Sequence, residues 1–283
     1  MRGRYKIIFL VTALIAAIAV FIIYGAFEKY FNDVYKHNTE LSILESKKDF
    51  LKFTVENQII RIEEEIAYQE SLFKDLKDEL SLILDTLPPA NSTELINFCR
   101  RYAEKGVHEG VLTFVVWDKK TSKTLYDPEG LIKGKNAAAE IEKAKEMFPV
   151  YGIKEFAGSA LFYGVKADVI DQKVKKKIAA EIHNSKFPLD SYIWVNEVVN
   201  YEGGDDYAMR RVHPNLKETE GMYLSTEMKD IMGARPYLKE LEGVKKDGEI
   251  FFTYHFKKKT EDRIAEKLTY AKLVEGLCNQ CLR

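Results

Sequence analysis

The sequence predicts an α+β protein in which a long leading helix is followed by antiparallel strands with helices around them. Between Glu28 and Leu87 there is no proline and no glycine, and apolar residues recur with a helical period. Beyond residue 190, short β-rich segments alternate with loops that contain glycine. Strands and helices segregated in this way are typical of the α+β class. An uncharged apolar run near the N-terminus adds a membrane anchor to this prediction.

Composition excludes several classes of function. The 283 residues hold 43 Lys+Arg against 44 Asp+Glu, so no overall positive field favours nucleic acid, and we expect no nucleic-acid partner. The three cysteines, Cys99, Cys278 and Cys281, are too few for a disulfide scaffold. The last two form a C-x-x-C at the end of the chain without a βαβ pattern around them. We interpret this motif as a chance pair rather than a thioredoxin-like site.

The apolar run covers Ile7 to Gly25, which is long enough to cross a bilayer as a helix. Arg2, Arg4 and Lys6 precede it without an acidic residue among them. Because basic flanks stay cytoplasmic, we expect a cytoplasmic N-terminus and an extracytoplasmic remainder. A cleaved signal peptide is the alternative, but its apolar core would be shorter and would end in a small-x-small site. Residues 1–27 are therefore predicted to be an uncleaved, single-pass anchor in the plasma membrane (the inner membrane of a bacterium).

Residues 28–87 are predicted to form a long stalk helix that ends before Pro88 and Pro89. Its apolar residues are spaced three and four apart, as in a heptad seam. Two interpretations stay open, since the seam can pair with a second copy as a parallel homodimer or pack on the chain's own globular part. The seam consists of Ile59, Ile62, Ile66, Phe73, Leu76, Leu80, Ile83 and Leu87.

Residues 88–273 are predicted to form the globular region, and its first half, about 91–185, carries the weaker signals. Ser92 is a plausible N-cap for a first helix that runs to about Lys105. The further predicted elements are a β-hairpin of Val111–Trp117 and Thr124–Tyr126 around a turn at Asp118, a helix over Ala137–Met147, and a basic amphipathic helix over Ile170–Asn184. The basic residues of this last helix are interpreted as a solvated face.

The second half, about residues 190–273, is rich in predicted strands. The sequence Gly203-Gly204-Asp205-Asp206 resembles a diguanylate cyclase signature. It joins two predicted strands on the outside of the membrane, where no GTP is available, so we interpret it as a turn. The predicted strands are Tyr192–Val199, Tyr207–His213, Ile250–Phe256 and Leu268–Leu273.

Two of these strands carry side chains suited to a small anion. Because alternate residues of a strand share a face, Tyr192, Trp194 and Asn196 lie together, and Arg211 shares a face with His213 on the next strand. An arginine fork binds a carboxylate with two bonds, and aromatic walls exclude water.

The residues alone leave other interpretations open. Tyr192 and Trp194 are also compatible with ordinary sheet packing. Arg211 can form a surface ion pair instead, and His213 can simply end its strand before Pro214. Arg210, on the opposite face, is the next candidate for an anion anchor.

Four sequence segments together resemble the extracytoplasmic Cache sensor family of PAS-like modules. They are Tyr192-Ile-Trp-Val-Asn196, Arg210-Arg-Val-His-Pro-Asn-Leu216, Glu220-Gly221 and Lys267-Leu-Thr-Tyr270. Such modules occur on bacterial chemoreceptors, histidine kinases and diguanylate cyclases, and the resemblance is closest to those that precede a cyclase domain. It covers roughly Glu28 to Tyr270 and is most specific from Tyr192 to Gly221.

The resemblance implies a transmembrane helix, a stalk helix and one or two PAS-like lobes that bind a small carboxylate or amino acid without a cofactor. It also implies that a further strand, a second membrane helix and an output domain follow the strand of Tyr270. In this sequence, residues 274–283 stand where those features are expected. We therefore expect an altered or truncated tail. The expected ligand-binding residues are Tyr192, Trp194, Asn196, Arg210, Arg211, His213, Tyr254 and Tyr270.

The sequence thus predicts a membrane-anchored ligand sensor that is not an enzyme. The alternative is a structural stalk or assembly protein with a globular part that does not sense. A hydrolase is disfavoured because no nucleophile–base pair, phosphate loop or G-x-S-x-G motif is present. We expect no metal site, because the five histidines are scattered without ligand spacing: His37, His108, His183, His213 and His255.

Overall fold

The computed structural model describes residues 2–86, 91–104, 110–257 and 263–274. Residues 2–17, 104, 189 and 257 are described by their backbone alone. The chain divides into two compact units, residues 1–54 and residues 55–283. The predicted tail at 274–283, including Cys278 and Cys281, lies outside the described residues except for residue 274.

The first unit consists of the leading part of helix α1 (Arg2–Thr86). From Ile18 to Leu44, many large apolar side chains are exposed, among them Phe21, Tyr30 and Phe31. Among the residues whose side chains are described, no helix combines the length and apolar composition needed to cross a bilayer. The predicted span starts at Ile7, and its residues 7–17 lie outside that set. The membrane anchor therefore stays a prediction.

The second unit begins with the remaining part of α1, where the apolar seam meets the chain's own core. Ile62, Phe73, Leu76 and Leu80 are buried against later elements of the same unit. Leu84 is buried in place of the predicted Ile83. Over these residues the seam packs on the globular region, which is one of the two pairings left open by the sequence. The parallel homodimer stays a prediction.

The next elements of the second unit confirm the predicted hairpin and the three predicted helices, while two strands were missed. The elements are α2 (Ser92–Glu104), β1 (Leu112–Asp118), β2 (Thr124–Tyr126), α3 (Ala137–Ala144), β3 (Val150–Glu155), β4 (Ser159–Val165) and α4 (Ala167–Asn184). Asn91, rather than Ser92, caps α2, because its Oδ1 accepts the Glu94 N–H at 3.0 Å. A short 3₁₀ turn over Lys145–Met147 extends α3.

Strands β1 to β4 form an antiparallel sheet in the order β2-β1-β4-β3. Its two central strands are buried on both faces, which explains why they read as continuous apolar runs. Phe114 and Leu161 belong to the core that α1, α2 and α4 cover. Val115 and Phe162 point to the other face, where they pack with Ile141 of α3. Apolar side chains therefore fill both sides of this sheet.

The remaining elements surround the candidate site. They are β5 (Val195–Val198), β6 (Ala208–Val212), β7 (Tyr223–Leu224), α5 (Pro236–Asp247), β8 (Glu249–Lys257) and β9 (Ile264–Lys272). Strands β5, β6 and β7 form one antiparallel sheet, and β8 pairs with β9. Helix α5 packs against both, since Leu241 joins the core of the three-stranded sheet and Val244 packs with Phe252 of β8. The four predicted strands are confirmed, with the first two shorter and the last two longer than expected.

Candidate ligand-binding site

A cavity of about 350 Å³ lies among β5, β6, α5 and β8. This volume falls in the range of small-molecule sites, which is roughly 300–1,000 Å³. Its walls combine aromatic rings with buried polar groups, so it can surround a small polar molecule. The lining includes Trp194, Asn196, Arg210, His213, Tyr237, Glu240, Phe252 and Tyr254, with Met228, Lys229 and Asp230 from the segment before α5.

Arg210 of β6 is a buried cation without an anionic partner. Its side chain is 8% exposed, and its guanidinium donates to the hydroxyls of Thr219 and Tyr237, the latter at 2.9 Å. Within the described part of the chain, no carboxylate forms an ion pair with it. A buried charge without a counter-ion is costly, so this guanidinium favours an anionic ligand in the cavity.

Glu240 contributes a buried carboxyl group from α5, one helical turn after Tyr237. It is 7% exposed, accepts a hydrogen bond from the Tyr207 hydroxyl at 3.4 Å, and is also hydrogen-bonded to the Asn196 side chain. Burial raises its pKa to about 7, because the charged form loses its hydration. No lysine or arginine among the described residues forms an ion pair with this carboxyl group.

His213 follows β6 and faces the same cavity. Its ring centroid lies 5.0 Å from that of Tyr192, and its backbone N–H donates to Glu220 at 2.7 Å. Burial, followed by the charge of Arg210, lowers the His213 pKa to about 4, so the imidazole is neutral at pH 7. Its buried Nδ1 has no hydrogen-bond partner among the described residues.

Lys267 of β9 is a second cation beside the site, with a half-buried side chain and a buried ammonium group. It is paired in register with Tyr254, and its Nζ lies 3.5 Å from the ring centroid of Tyr192 and 5.8 Å from that of Tyr254. Burial lowers its pKa to about 7. Its Nζ has no hydrogen-bond partner in the described structure, and Lys267 is not among the residues that line the cavity.

Asp230, at the edge of the cavity, has a structural role. Its carboxylate accepts the backbone N–H groups of Met232, Ala234 and His255 at 2.8–2.9 Å. These bonds, with that from His255 the strongest influence, hold the pKa of Asp230 below its ordinary value. The carboxylate therefore fixes the segment before α5 against β8.

The structure brings five of the eight predicted site residues to the cavity wall: Trp194, Asn196, Arg210, His213 and Tyr254. Tyr192 lies just behind the wall, between His213 and Lys267. Arg211 and Tyr270 lie elsewhere, for the following reasons.

Arg211 is on the solvent face of β6, where it is exposed and paired with Glu197, so the surface ion-pair interpretation describes it. The alternation buries Ala208, Arg210 and Val212 instead. The strand ends at Val212, so His213 leaves the alternation and turns to the Arg210 side. The expectation that Arg211 and His213 share a face is thus wrong.

Tyr270 also lies outside the cavity. It is paired in register with Phe251, whereas the cavity is lined by Phe252 and Tyr254 from the opposite face of the β8–β9 ribbon. Its hydroxyl donates to Glu249 at 2.6 Å. Tyr270 is therefore a packing residue of the ribbon.

Sequence reasoning missed Tyr237 and Glu240. They lie on the first turns of α5, and a tyrosine and a glutamate three residues apart on a helix are ordinary surface residues in a sequence. The turn interpretation of Gly203 and Gly204 is confirmed, since both have positive φ, 85° and 102°, in the connection from β5 to β6. The Gly204 N–H donates to Thr226 at 2.9 Å.

Comparison with known protein families identifies the family of the second half of the chain. A family model of the Cache domain, dCache_2, matches residues 133–277, more than half of the chain. The matched region contains β4, α4 and every element that lines the cavity. No curated protein and no solved structure matches the chain. The chain therefore belongs to the Cache domain family, whose modules sense small ligands.

Proposed function

We propose that this protein is a membrane-anchored, extracytoplasmic and non-enzymatic sensor, and that its ligand carries a carboxylate held by Arg210. The observation that supports this is the buried guanidinium, which is 8% exposed and has two hydroxyl partners but no carboxylate among the described residues. A bidentate pair with a ligand carboxylate compensates that charge. The Tyr237 hydroxyl orients the guanidinium toward the cavity.

Binding is transmitted through differential affinity for two states of the second unit. The cavity is shared by β6, α5 and β8, so a ligand held at Arg210 favours the arrangement in which α5 is closed on the strands. From this region β9 reaches α1, because Lys272 Nζ lies 3.3 Å from a carboxylate oxygen of Glu56. The signal then passes along the stalk to an output module of the kind found with Cache domains, such as a diguanylate cyclase.

Two features of the first unit support anchoring and pairing. The apolar run from Ile7 to Gly25 suits a bilayer, and the basic residues before it favour a cytoplasmic N-terminus. The exposed apolar side chains between Ile18 and Leu44 suit lipid and a second copy of α1. The sensor thus acts as a homodimer in the plasma membrane.

Calorimetry on the purified full chain tests the ligand class. The probes are acetate, propionate, lactate, succinate, alanine and glutamate, and at least one is expected to bind. Arg210→Gln should weaken that binding by about tenfold to a hundredfold, since charge-assisted bonds are lost. Arg211→Gln is the matched control, one residue away on the solvent face, and should bind like the parent.

Two results contradict the proposal. Equal affinity of the Arg210→Gln variant and the parent would remove Arg210 as the anchor. Failure of every probe to bind at millimolar concentration would contradict a carboxylate ligand and leave the structural stalk as the better interpretation.

A further inference from the structure

We infer that Lys267 of β9 is a site of reaction with carbon dioxide, at which the side-chain amine forms a reversible carbamate. This inference goes beyond the proposed function, because it concerns a residue outside the cavity lining and does not depend on the ligand that Arg210 holds. Carbon dioxide is the only co-reactant. The product is an anion in place of a cation beside the cavity.

The first observation is that the ammonium group of Lys267 is buried without a polar partner. Its Nζ lies 3.5 Å from the ring centroid of Tyr192 and 5.8 Å from that of Tyr254. Among the described residues, no group accepts a hydrogen bond from it. Lys272 of the same strand, in contrast, pairs with Glu56. Aromatic faces attract an ammonium group but do not replace the hydrogen bonds lost on burial, so the charged form of Lys267 is destabilised.

This burial makes the amine of Lys267 a nucleophile at neutral pH. Burial lowers its pKa from 10.5 to about 7, so about half of the amine is neutral at pH 7. A lysine with the ordinary pKa of about 10.4 is neutral in fewer than about one molecule in a thousand at that pH. Only the neutral amine has the lone pair that attacks an electrophile.

The carbamate step balances without an oxidant or a reductant. The lone pair of the neutral Nζ attacks the carbon of carbon dioxide, a C–N bond forms, and one C=O π pair moves to its oxygen. The nitrogen then loses one proton to solvent, which leaves a carbamate anion. The reverse of these steps releases carbon dioxide and restores the amine.

The second observation is an unused hydroxyl on the same face of the β8–β9 ribbon. Lys267 and Thr269 are two residues apart on β9 and are paired in register with Tyr254 and Phe252, both of which line the cavity. Thr269 is 5% exposed, and its Oγ1 has no hydrogen-bond partner among the described residues. A carbamate on Lys267 carries two acceptor oxygens. It therefore supplies acceptors on the side of the ribbon where this donor is unused.

The third observation is the positive charge near Lys267. Burial is the main cause of the low pKa of His213, and the charges of Arg210 and Lys267 lower it further, so both cations act on the same ring. The guanidinium of Arg210 has no carboxylate partner in the described part of the chain. Conversion of Lys267 into an anion replaces a repulsion between like charges by an attraction.

One carboxyl group opposes the carbamate. Glu240 acts on Tyr254, but burial raises the pKa of Glu240 to about 7, so its negative charge is only partial at neutral pH. The charged and titratable groups that act on Lys267 or on its two tyrosine neighbours thus include two cations, one partly charged acid and neutral rings. They are Tyr192, Arg210, His213, Tyr237, Glu240 and Tyr254.

An aldehyde is the competing electrophile, because it forms an imine with the same amine. An imine is neutral or cationic, so it gains nothing from the charge of Arg210 and brings no acceptor oxygen to Thr269. Carbon dioxide is also small and uncharged, which suits an amine whose nitrogen is buried. The observations therefore favour carbon dioxide, and the imine becomes an outcome of the test.

Covalent trapping on the purified full chain tests the inference. The protein is equilibrated with isotopically labelled carbon dioxide, and triethyloxonium converts the carbamate to a stable ethyl ester. Trypsin cleaves after a free lysine but not after this ester, so modified Lys267 appears in an uncut peptide of residues 264–272. Lys267 should carry at least about tenfold more label than the exposed Lys239. The yield should rise from about pH 6 to about pH 8, as the neutral amine increases.

Four variants separate a built site from a merely reactive amine. Lys267→Arg keeps the charge but cannot form the carbamate, because a guanidinium does not lose its proton, so the label in this peptide should vanish. Arg210→Gln and Thr269→Val should each lower the yield at Lys267 several-fold, since they remove the positive charge and the hydroxyl donor. Arg211→Gln, on the solvent face of β6, is the matched control and should leave the yield unchanged.

Three results overturn the inference. The first is equal labelling of Lys267 and Lys239. The second is an excess at Lys267 that neither Arg210→Gln nor Thr269→Val reduces, because the amine is then reactive without a site for its product. The third is labelling by acetaldehyde and cyanoborohydride without labelling by carbon dioxide, which favours the imine. The proposed function is decided separately, by the affinity of the Arg210→Gln variant for the acids.

Discussion

The four-stranded sheet and the region around the cavity contain the same kinds of elements but opposite interiors. Strand β4 is buried along its whole length, and apolar side chains fill the sheet on both faces. In contrast, the cavity region buries Arg210, Glu240 and His213, and Lys267 beside it, and leaves their charge or hydrogen-bonding capacity uncompensated by described residues. One interior is built for stability, and the other leaves polar groups to be satisfied by a ligand.

This difference has a thermodynamic consequence. Polar groups without partners lower the stability of the unliganded cavity region. A ligand that binds only the folded state raises the free energy of unfolding. The increase grows with the logarithm of the ratio of ligand concentration to Kd. The binding region should therefore be the part of the second unit that responds most to mutations of polar groups and to ligand.

The largest expected effect is on the free energy of unfolding, when one phenylalanine in each region is replaced by alanine. Phe162 of β4 is fully buried within the apolar core, and Phe162→Ala should lower the free energy of unfolding by about 3–5 kcal/mol. Phe252 of β8 borders the cavity, so one side of its ring faces open space instead of packed atoms, and Phe252→Ala should cost about half as much. Urea unfolding of the full chain measures both values.

The exposed Leu125 of β2 supplies the control, since Leu125→Ala should change stability by less than about 0.5 kcal/mol. Equal losses for Phe162→Ala and Phe252→Ala would mean that the cavity collapses when its wall is truncated. The contrast between a filled and an open interior would then be wrong.

Replacing Lys267 should have a smaller effect of the opposite sign, which is an increase in the free energy of unfolding. Its pKa falls from 10.5 to about 7 on folding, so the folded state binds fewer protons between these values. The parent's stability therefore rises with pH through this window, and the penalty for burying the amine is complete below pH 7. Lys267→Met should raise the free energy of unfolding by about 1–3 kcal/mol near pH 6.

The same measurement near pH 10 should show a much smaller gain, because at a pH so close to the unfolded pKa of 10.5 it costs little to bury the amine in its neutral form. Lys239→Met on the exposed face of α5 is the control and should be neutral at both pH values. A gain from Lys267→Met that does not depend on pH would point to better packing rather than to relief of a buried charge.

Much of the fold follows from patterns in the sequence. The period of α1, the hairpin at Asp118 and the helices at Ala137 and Ile170 are local features, and the structure has them. Strand β4 was missed because Ser159–Val165 has the unbroken apolar character of a strand buried on both faces, which lacks the alternation that marks a half-buried strand. Strand β3, in which more and less buried residues alternate, was missed as well. Which pairing the seam of α1 adopts depends on tertiary contacts, so the sequence left it open.

The candidate site could be predicted only in part. Trp194, Asn196, Arg210, His213 and Tyr254 were among the predicted residues, since they carry strand alternation and a family resemblance. Glu240 could not be found, because a glutamate on a helix acquires meaning only when tertiary packing buries it. Arg211 was preferred over Arg210 because alternation was extended through His213, beyond the true end of β6 at Val212.

The smallest expected effect concerns Arg211, on the solvent face of the strand that carries Arg210. Its guanidinium pairs with Glu197 of β5, and its side chain is 46% exposed. Exposed ion pairs contribute little because solvent screens them and ordering two side chains costs entropy, so a double-mutant cycle of Arg211→Ala and Glu197→Ala should give a coupling of about 0.2–1 kcal/mol. Added salt should reduce it further. The coupling is measured by urea unfolding at low and high salt.

A coupling of about 3 kcal/mol or more, of the size found when buried pairs are broken, would mean that this face of β6 is covered in the assembled protein. The contrast between Arg210 and Arg211 as buried and solvated neighbours would then no longer hold.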